Sequence, residues 1–140
     1  MNNEQLKKCV KNLSKDLELS RFDLDKQMCR QAGLYIYYAM AFSGAVRDEK
    51  RTELKLEMRE TKIYRQLGDH HSRVTEKMMV AECHIDKTWI RLKQTADQAA
   101  FSADVLKGAC QALIHKRDML VNLGATVRTE MAGEISTSKP

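Results

Sequence analysis

The chain has 140 residues and a formal net charge of +5 at pH 7, and 31% of its residues are charged whereas only 6% are aromatic. This length predicts one domain, and the scarcity of aromatic residues argues against a thick globular core and for long helices with narrow apolar seams. Neither a signal peptide nor an apolar stretch long enough to span a bilayer is recognisable, so we expect a cytoplasmic protein that has no membrane partner.

The amino-acid composition and the position of proline predict an all-α fold. The only proline is Pro140, so no proline interrupts a helix before the last residue, and strong helix formers such as Ala, Leu, Met, Glu and Lys dominate. The four cysteines, Cys9, Cys29, Cys83 and Cys110, have no CxxC spacing. Their spacing predicts free thiols in a reducing compartment.

The N-terminal half predicts two helices. Apolar residues recur at the spacing of one helical face in a short first helix, at Leu6, Val10, Leu13 and Leu17. Ser20 is a predicted N-cap, and a long helix is expected from about residue 22 to residue 67. Two helices hinged near Gly44 are the alternative, but one long helix is favoured because no turn-type residues accompany the glycine.

The C-terminal half predicts shorter helices. Gly68 is expected just past the end of the long helix, where it opens a loop over residues 68–74. Helices then follow over about residues 75–123, with a brief interruption at residues 95–97 and an end at Gly124. Residues 1–128 thus form one predicted helical domain, and residues 129–140 are predicted to be a flexible tail.

The segment from Val46 to Leu67 sorts its charges by helix face. On a wheel with about 100° per residue, one side carries the bases Arg51, Lys55, Arg59 and Lys62, extended by Arg47, Lys50 and Arg65. The opposite side carries the acids Glu49, Glu53, Glu57 and Glu60. One narrow apolar strip lies beside the acids (Leu56, Ile63, Leu67) and another beside the bases (Leu54, Met58).

Two interpretations of this charge pattern compete. Charged helix faces commonly only keep a helix soluble and add a few tenths of a kcal/mol through pairs four residues apart. Such pairs would interleave the two signs, whereas here the signs are separated, which leaves a positive ridge about 16 Å long from Arg51 to Lys62. A ridge of this kind can follow a phosphate backbone without reading sequence. Tyr64, near one end, can stack on a base or pack in a seam, and the sequence favours neither.

Self-assembly is predicted from two features. A heptad-like seam runs from Ala99 to Leu120, with apolar residues at alternating spacings of four and three except at Arg117. Narrow seams of this kind usually need partner helices to cover them. The acids of one copy can also face the bases of the next, which would give a ring or a bundle.

Patterns for catalysis or metal binding are not recognisable. His70 and His71 with Cys83 and His84 lack the closely spaced cysteine pair of known zinc sites, and no P-loop, nucleophile elbow or HExxH motif occurs. We therefore expect no enzyme, no cofactor and no metal, and a metal-dependent enzyme is the least favoured hypothesis.

Three stretches together carry a family resemblance. Leu24 and the later Leu34-Tyr35 are spaced along the long helix, a basic stretch from Leu54 to Ile63 runs into a loop with Gly68, and a C-terminal helix contains Gly108-Ala109, Ala112, Ile114 and Arg117. In length and order of elements, about residues 5–128 resemble the UvsY family, the recombination mediator proteins of T-even-type phages. Glu60 stands where the family pattern has a second, closely spaced base.

The resemblance implies a ring-like homo-oligomer that binds single-stranded DNA and helps a RecA-like recombinase to displace the single-strand DNA-binding protein. It implies DNA contacts at Arg59 and Lys62, with Lys55 and Arg65 as neighbours and Tyr64 as the aromatic; Arg51 extends this set along the ridge. It also implies assembly through the C-terminal region, where the predicted oligomerisation residues are Ala103, Leu106, Cys110, Leu113 and Leu120.

The leading hypothesis is a non-enzymatic mediator of DNA recombination, repair and replication that binds single-stranded DNA without sequence preference. The alternative is a structural or scaffolding helical oligomer, in which the ridge serves assembly alone. Binding of a labelled oligothymidylate at low salt separates the two hypotheses.

Overall fold

A computed structural model describes residues 3–137, and this part of the chain is all-α, without a β-strand. The α-helices are α1 (Asn3–Asp16), α2 (Leu24–His70), α3 (Glu76–Ile85) and α4 (Lys87–Thr137), and a single 3-10 turn (Arg21–Asp23) precedes α2. Over the same residues no helix combines the length and the hydropathy that crossing a bilayer requires.

The start of α2 differs slightly from the prediction. Ser20 is an N-cap, but it caps the 3-10 turn: its Oγ accepts a hydrogen bond from the Phe22 backbone N–H at 3.3 Å. The α-helix then begins at Leu24. The predicted first helix is confirmed as α1, which buries Leu6 and Cys9.

The long helix α2 is unbroken from Leu24 to His70, so a single helix forms across Gly44. The prediction that Gly68 lies beyond its end is wrong. None of the described glycines has a positive φ, and the His71 N–H still donates to the Leu67 carbonyl at 3.0 Å. A helical glycine costs up to about 1 kcal/mol relative to alanine, which is too little to end a helix without a second signal.

The break between the C-terminal helices lies at Asp86, and the prediction of an interruption at residues 95–97 is wrong. Thr75 caps α3, accepting a hydrogen bond from the Met78 N–H at 3.4 Å. Asp86 ends α3 and begins α4, because its Oδ1 accepts from the Trp89 N–H at 2.6 Å, the usual bond of an N-cap aspartate.

Helix α4 also continues beyond its predicted end. It runs through Gly124 to Thr137, so the tail predicted for residues 129–140 is wrong for residues 129–137, and residues 138–140 lie outside the described part. The seam accounts for the extension: Gly124 and Val127 continue its spacing of four and three, and both are half-buried, as is Leu123. Packing along the seam outweighs the weak helix propensity of one glycine.

The described residues form two compact units. The central unit comprises residues 43–105, and the terminal unit comprises residues 3–42 together with 106–137. The central unit buries Ala45, Ile63, Cys83 and Ala96, whereas the terminal unit buries Leu6, Tyr38, Leu106, Leu113 and Leu120. Small and aliphatic side chains dominate both interiors, as expected for narrow helical seams, and Tyr38 adds an aromatic ring to the terminal unit.

The predicted oligomerisation residues lie in this packing of the single chain. Ala103, Leu106, Leu113 and Leu120 are each at most 4% exposed, and Cys110 is half-buried. Their apolar area is therefore already removed from water within the chain. Their assignment to contacts between copies stays a prediction.

Buried polar groups in the terminal unit join α1 to α2 and α4, and also join α2 to α4. The Tyr38 hydroxyl donates to Asp16 Oδ2 at 3.0 Å, and the Lys116 ammonium donates to the Asp16 backbone carbonyl at 2.5 Å. Gln31 Nε2 donates to the Leu113 carbonyl, also at 2.5 Å. Burial and the hydrogen bond to Asp16 raise the pKa of Tyr38, and burial lowers the pKa of Lys116.

Candidate nucleic-acid interface

The packed face of α2 separates its two charged sides. Ile63 is 1% exposed and Leu56 and Leu67 are half-buried, so the strip predicted beside the acids faces the interior of the central unit. The strip predicted beside the bases is exposed: Leu54 and Met58 are 56% and 58% exposed. The bases and acids therefore flank the packed face on opposite sides, in agreement with the helical wheel.

Four of the predicted DNA-binding residues form an exposed basic ridge, which we define as Arg51, Lys55, Lys62 and Arg65. Within residues 3–137 none of the four forms an ion pair with a carboxylate. Their positive charge is therefore not neutralised inside the described chain. Such a surface attracts anions and can exchange their counterions for phosphate groups.

Arg59 lies at the edge of the packed face and has a carboxylate partner. Its Nε donates to Asp86 Oδ1 at 3.1 Å, and its Nη2 donates to Asp86 Oδ2. The Arg59 guanidinium, and then the Trp89 backbone N–H, hold the pKa of Asp86 below its ordinary value. Arg59 thus joins α2 to the boundary between α3 and α4, and its charge is already matched within the chain.

Tyr64 does not share the surface of the ridge. It is 56% exposed. Tyr64 is the second residue after Lys62 on an unbroken helix, and two steps of about 100° rotate its side chain by about 200° from that of Lys62. Tyr64 lies instead on the acidic side, four residues after Glu60 and seven after Glu57. The stacking contact predicted for Tyr64 therefore lies on a different face of α2 from the bases of the ridge, and it stays a prediction.

A groove between α2 and α4 adjoins the ridge within the central unit. Its volume is about 260 Å³, and α2 contributes Lys55, Met58, Arg59 and Lys62 while α4 contributes Thr88 and Leu92. We call this the basic groove. Two more exposed bases, Lys87 and Arg91, immediately precede its two α4 residues in the chain. The α4 part of the groove is missed by sequence reasoning, because only the packing of α2 against α4 brings it to the ridge.

The opposite edge of the same helix pair is tied by a tryptophan. Trp89 Nε1 donates to Glu60 Oε1 at 2.9 Å, so this glutamate has a partner within the chain. Nearby, burial and the charge of Glu60 raise the pKa of the Cys83 thiol. At this edge Glu60 is hydrogen-bonded to Trp89, whereas at the other edge the basic groove is accessible to solvent.

A second basic surface, on α1, is also missed by the sequence reading. Lys7, Lys8, Lys11 and Lys15 are all exposed, on the side of α1 away from the buried Leu6 and Cys9. Lys8, Lys11 and Lys15 are spaced by three and four residues, and Lys7 lies four residues before Lys11, which is the signal that places them on one side of the helix. The terminal unit therefore has its own stripe of positive charge.

The described residues form no recognisable metal site. It contains no group of three or more His, Cys, Asp or Glu side chains that could hold an ion, and its four cysteines are free thiols, of which Cys29 is exposed.

The fold and the interface thus define an all-α protein with an exposed basic ridge and an adjoining groove. Comparisons with protein-family models, with curated proteins and with solved structures find no match to this chain.

Proposed function

We propose that this chain binds single-stranded DNA through the basic ridge, without sequence preference. The observation that supports the proposal is the row of exposed bases, Arg51, Lys55, Lys62 and Arg65, that have no carboxylate partner in the described part of the chain. Charges of one sign along one helix edge suit a repeating line of phosphates. No nucleic-acid recognition motif is recognisable along the ridge, so we expect no sequence preference.

We further propose that the protein is a recombination mediator, which loads a RecA-like recombinase onto DNA covered by single-strand DNA-binding protein. This part of the proposal is supported by the UvsY resemblance over about residues 5–128. In a ring-like homo-oligomer, the ridges of several copies would hold one strand together, and avidity would compensate for the weak binding of each copy. The paired Arg59 shifts the expected contacts toward Lys55 and Lys62.

A scaffolding oligomer is the second candidate function. The observation that favours it is the set of large apolar side chains left exposed, among them Phe22 at 97% and Met40 at 70%. Exposed apolar residues in such number are typical of surfaces that bind other proteins. In this case the ridge would face the acidic side of another copy and would not bind DNA.

Fluorescence anisotropy with a labelled oligothymidylate tests the proposal. We expect binding at low salt that weakens as salt rises, with a slope of about −0.7 per neutralised phosphate on a log–log plot. Lys55→Glu combined with Lys62→Glu should weaken binding and reduce the slope by about 1.4. The matched control is Lys77→Glu with Lys107→Glu, an equal charge change at two exposed lysines outside the ridge.

The competing outcomes are distinct. If the wild-type chain does not bind the oligothymidylate at low salt, the DNA-binding proposal is wrong and the scaffolding oligomer is the remaining candidate function. If the ridge variant loses its oligomeric state in sedimentation while the control keeps it, the ridge is an interface between copies. Displacement of single-strand DNA-binding protein by a recombinase, with and without the protein, then measures mediator activity directly.

A further inference from the structure

The basic groove combines two kinds of surface. Lys55 and Lys62 bring positive charge, whereas Met58 and Leu92 bring aliphatic area. On α2, Met58 lies three residues after Lys55 and four before Lys62, so the three side chains are neighbours on one helix face. An aliphatic side chain between two lysines adds apolar area that a ligand can cover in addition to its phosphate contacts.

Met58 and Leu92 leave apolar surface accessible in the basic groove. Met58 remains 58% exposed, and Leu92 on α4 is half-buried as the second apolar lining residue. A ligand with a flat apolar face would therefore gain by entering between them. Methionine suits this position because its unbranched and polarisable side chain adapts to ring systems of different shape.

Size and charge narrow the class of ligand. The void of about 260 Å³ is smaller than the pockets of roughly 300–1,000 Å³ that take drug-sized molecules. The lysines on the α2 side favour a ligand whose apolar ring is flanked by negative charge. Thr88, on the α4 side, adds a hydroxyl that can donate to or accept from the edge of a ring.

We propose that the basic groove takes one unpaired base of the bound strand between Met58 and Leu92, while Lys55 and Lys62 hold the phosphates on either side of it. This inference rests on the proposed binding of single-stranded DNA and adds a reason for preferring single strands over duplex. A paired base is stacked inside the helix and would have to be extruded, at a cost of a few kcal/mol, before it could reach the groove.

The proposal also replaces the aromatic contact expected from the sequence. Tyr64 lies on the acidic side of α2, away from the ridge. Because Met58 and Leu92 are aliphatic, they contact every base through its ring face and read no hydrogen-bonding edge. The groove therefore predicts the same tolerance of sequence that an aromatic platform would give.

The test compares an oligothymidylate with an abasic oligomer of the same length and charge, by anisotropy at one low salt concentration. We expect the wild-type chain to prefer the oligothymidylate. Met58→Ala should reduce its affinity for the oligothymidylate by roughly tenfold, equivalent to about 1.4 kcal/mol, and leave the affinity for the abasic oligomer unchanged. The matched control is Leu54→Ala, since Leu54 is 56% exposed on the same helix but does not line the groove.

A second readout is independent of affinity. In methyl-resolved NMR spectra the ε-methyl signal of Met58, assigned by its loss in Met58→Ala, should move upfield with oligothymidylate and stay in place with the abasic oligomer. Equal affinity of the wild-type chain for the two oligomers, or an equal loss of both in Met58→Ala, overturns the base-binding groove and leaves the proposed function standing. Failure of both oligomers to bind overturns the proposed function itself.

Discussion

Arg59 and Lys62 are three residues apart on the same side of one helix, yet they have different roles. Arg59 is bonded through two nitrogens to Asp86, whereas Lys62 is exposed and forms no ion pair in the described chain. A change at Arg59 would therefore disturb the boundary between α3 and α4 as well as any DNA contact. Lys55 and Lys62 are the better residues for separating binding from folding.

The Asp86 carboxylate predicts a pH dependence of stability. Its pKa is lowered mainly by Arg59, so its contribution to stability is complete above the unfolded-state pKa of about 3.9 and is lost as pH falls through the lower folded-state value. Asp86→Asn keeps an N-cap for Trp89 but removes the charge that Arg59 requires. We expect the variant to have a Tm about 2–4 °C below that of the wild type at pH 7.

This difference in Tm should shrink as the pH is lowered from 7 toward 2, which thermal melts followed by circular dichroism would measure. Asp118→Asn is the control, because Asp118 pairs with Arg117 at an exposed position where an ion pair contributes little. A difference that stays constant over the whole pH range would contradict the assignment of the charge effect to Asp86.

Lys116 predicts the opposite pH behaviour. Its side chain is 6% exposed, and burial lowers its pKa, so the folded state disfavours the charged form and becomes more stable as the pH rises toward the unfolded-state value of about 10.4. Lys116→Met removes this buried charge but also the donor to the Asp16 carbonyl. Since the two effects oppose each other, we expect a change of less than about 1 kcal/mol in the free energy of unfolding at pH 7.

Urea titrations at pH 7 and at about pH 10 check this expectation, because the lowered pKa of Lys116 makes the folded state gain stability as the pH rises toward the unfolded-state value. The wild type should gain stability relative to Lys116→Met at the higher pH. Lys15→Met, at an exposed position on α1, should show no such change. A loss well above 1 kcal/mol in Lys116→Met at pH 7 would mean that the hydrogen bond outweighs the cost of burying the charge.

At the scale of the helices, the interiors were predictable and the ends were not. The wheel over Val46–Leu67 identified the packed strip that contains Ile63, because a helical period is visible in sequence. The sequence predicts stops at Gly68 and Gly124, yet both are helical. Asp86 forms the boundary between α3 and α4 through a local hydrogen bond to the Trp89 N–H, and aspartate is a preferred N-cap. That cap can be read from sequence, whereas packing along the seam depends on tertiary structure.

Gly68 allows a direct test of where α2 ends. An added Cβ would meet no atom within 4 Å, and the φ of Gly68 is not positive. Gly68→Ala should therefore stabilise the protein by up to about 1 kcal/mol in urea unfolding, through better helix propensity. Gly44→Ala, equally open and well inside α2, should do the same. Destabilisation by Gly68→Ala alone would indicate a left-handed residue past the end of the helix.

At the scale of the whole molecule, the sequence predicted an all-α chain but not how its seams are covered. The residues from Ala103 to Leu120 were assigned to contacts between copies, because a heptad pattern does not reveal which helix covers it. In the structure Ala103, Leu106, Leu113 and Leu120 are buried within one chain, and Cys110 is half-buried. The basic groove was unpredictable for the same reason, since it depends on residues of α2 and α4 that are far apart in sequence.

The intrachain seam predicts how a core substitution behaves. Leu113 is fully buried, so Leu113→Ala should lower the free energy of unfolding by about 2–5 kcal/mol. The loss should be the same at two widely different protein concentrations, because the contacts belong to one chain. Ile114→Ala, at a neighbouring position that is 36% exposed, should cost less. A loss that grows on dilution would place Leu113 between copies.

The position of Trp89 has a practical consequence. It is the only tryptophan of the chain, and its indole is bonded to Glu60 inside the central unit. Its fluorescence on denaturation therefore reports the melting of residues 43–105, while circular dichroism averages over every helix. If the two signals change together, the two units unfold as a single cooperative block. If the indole signal changes first, the unit that contains the basic groove unfolds before the other.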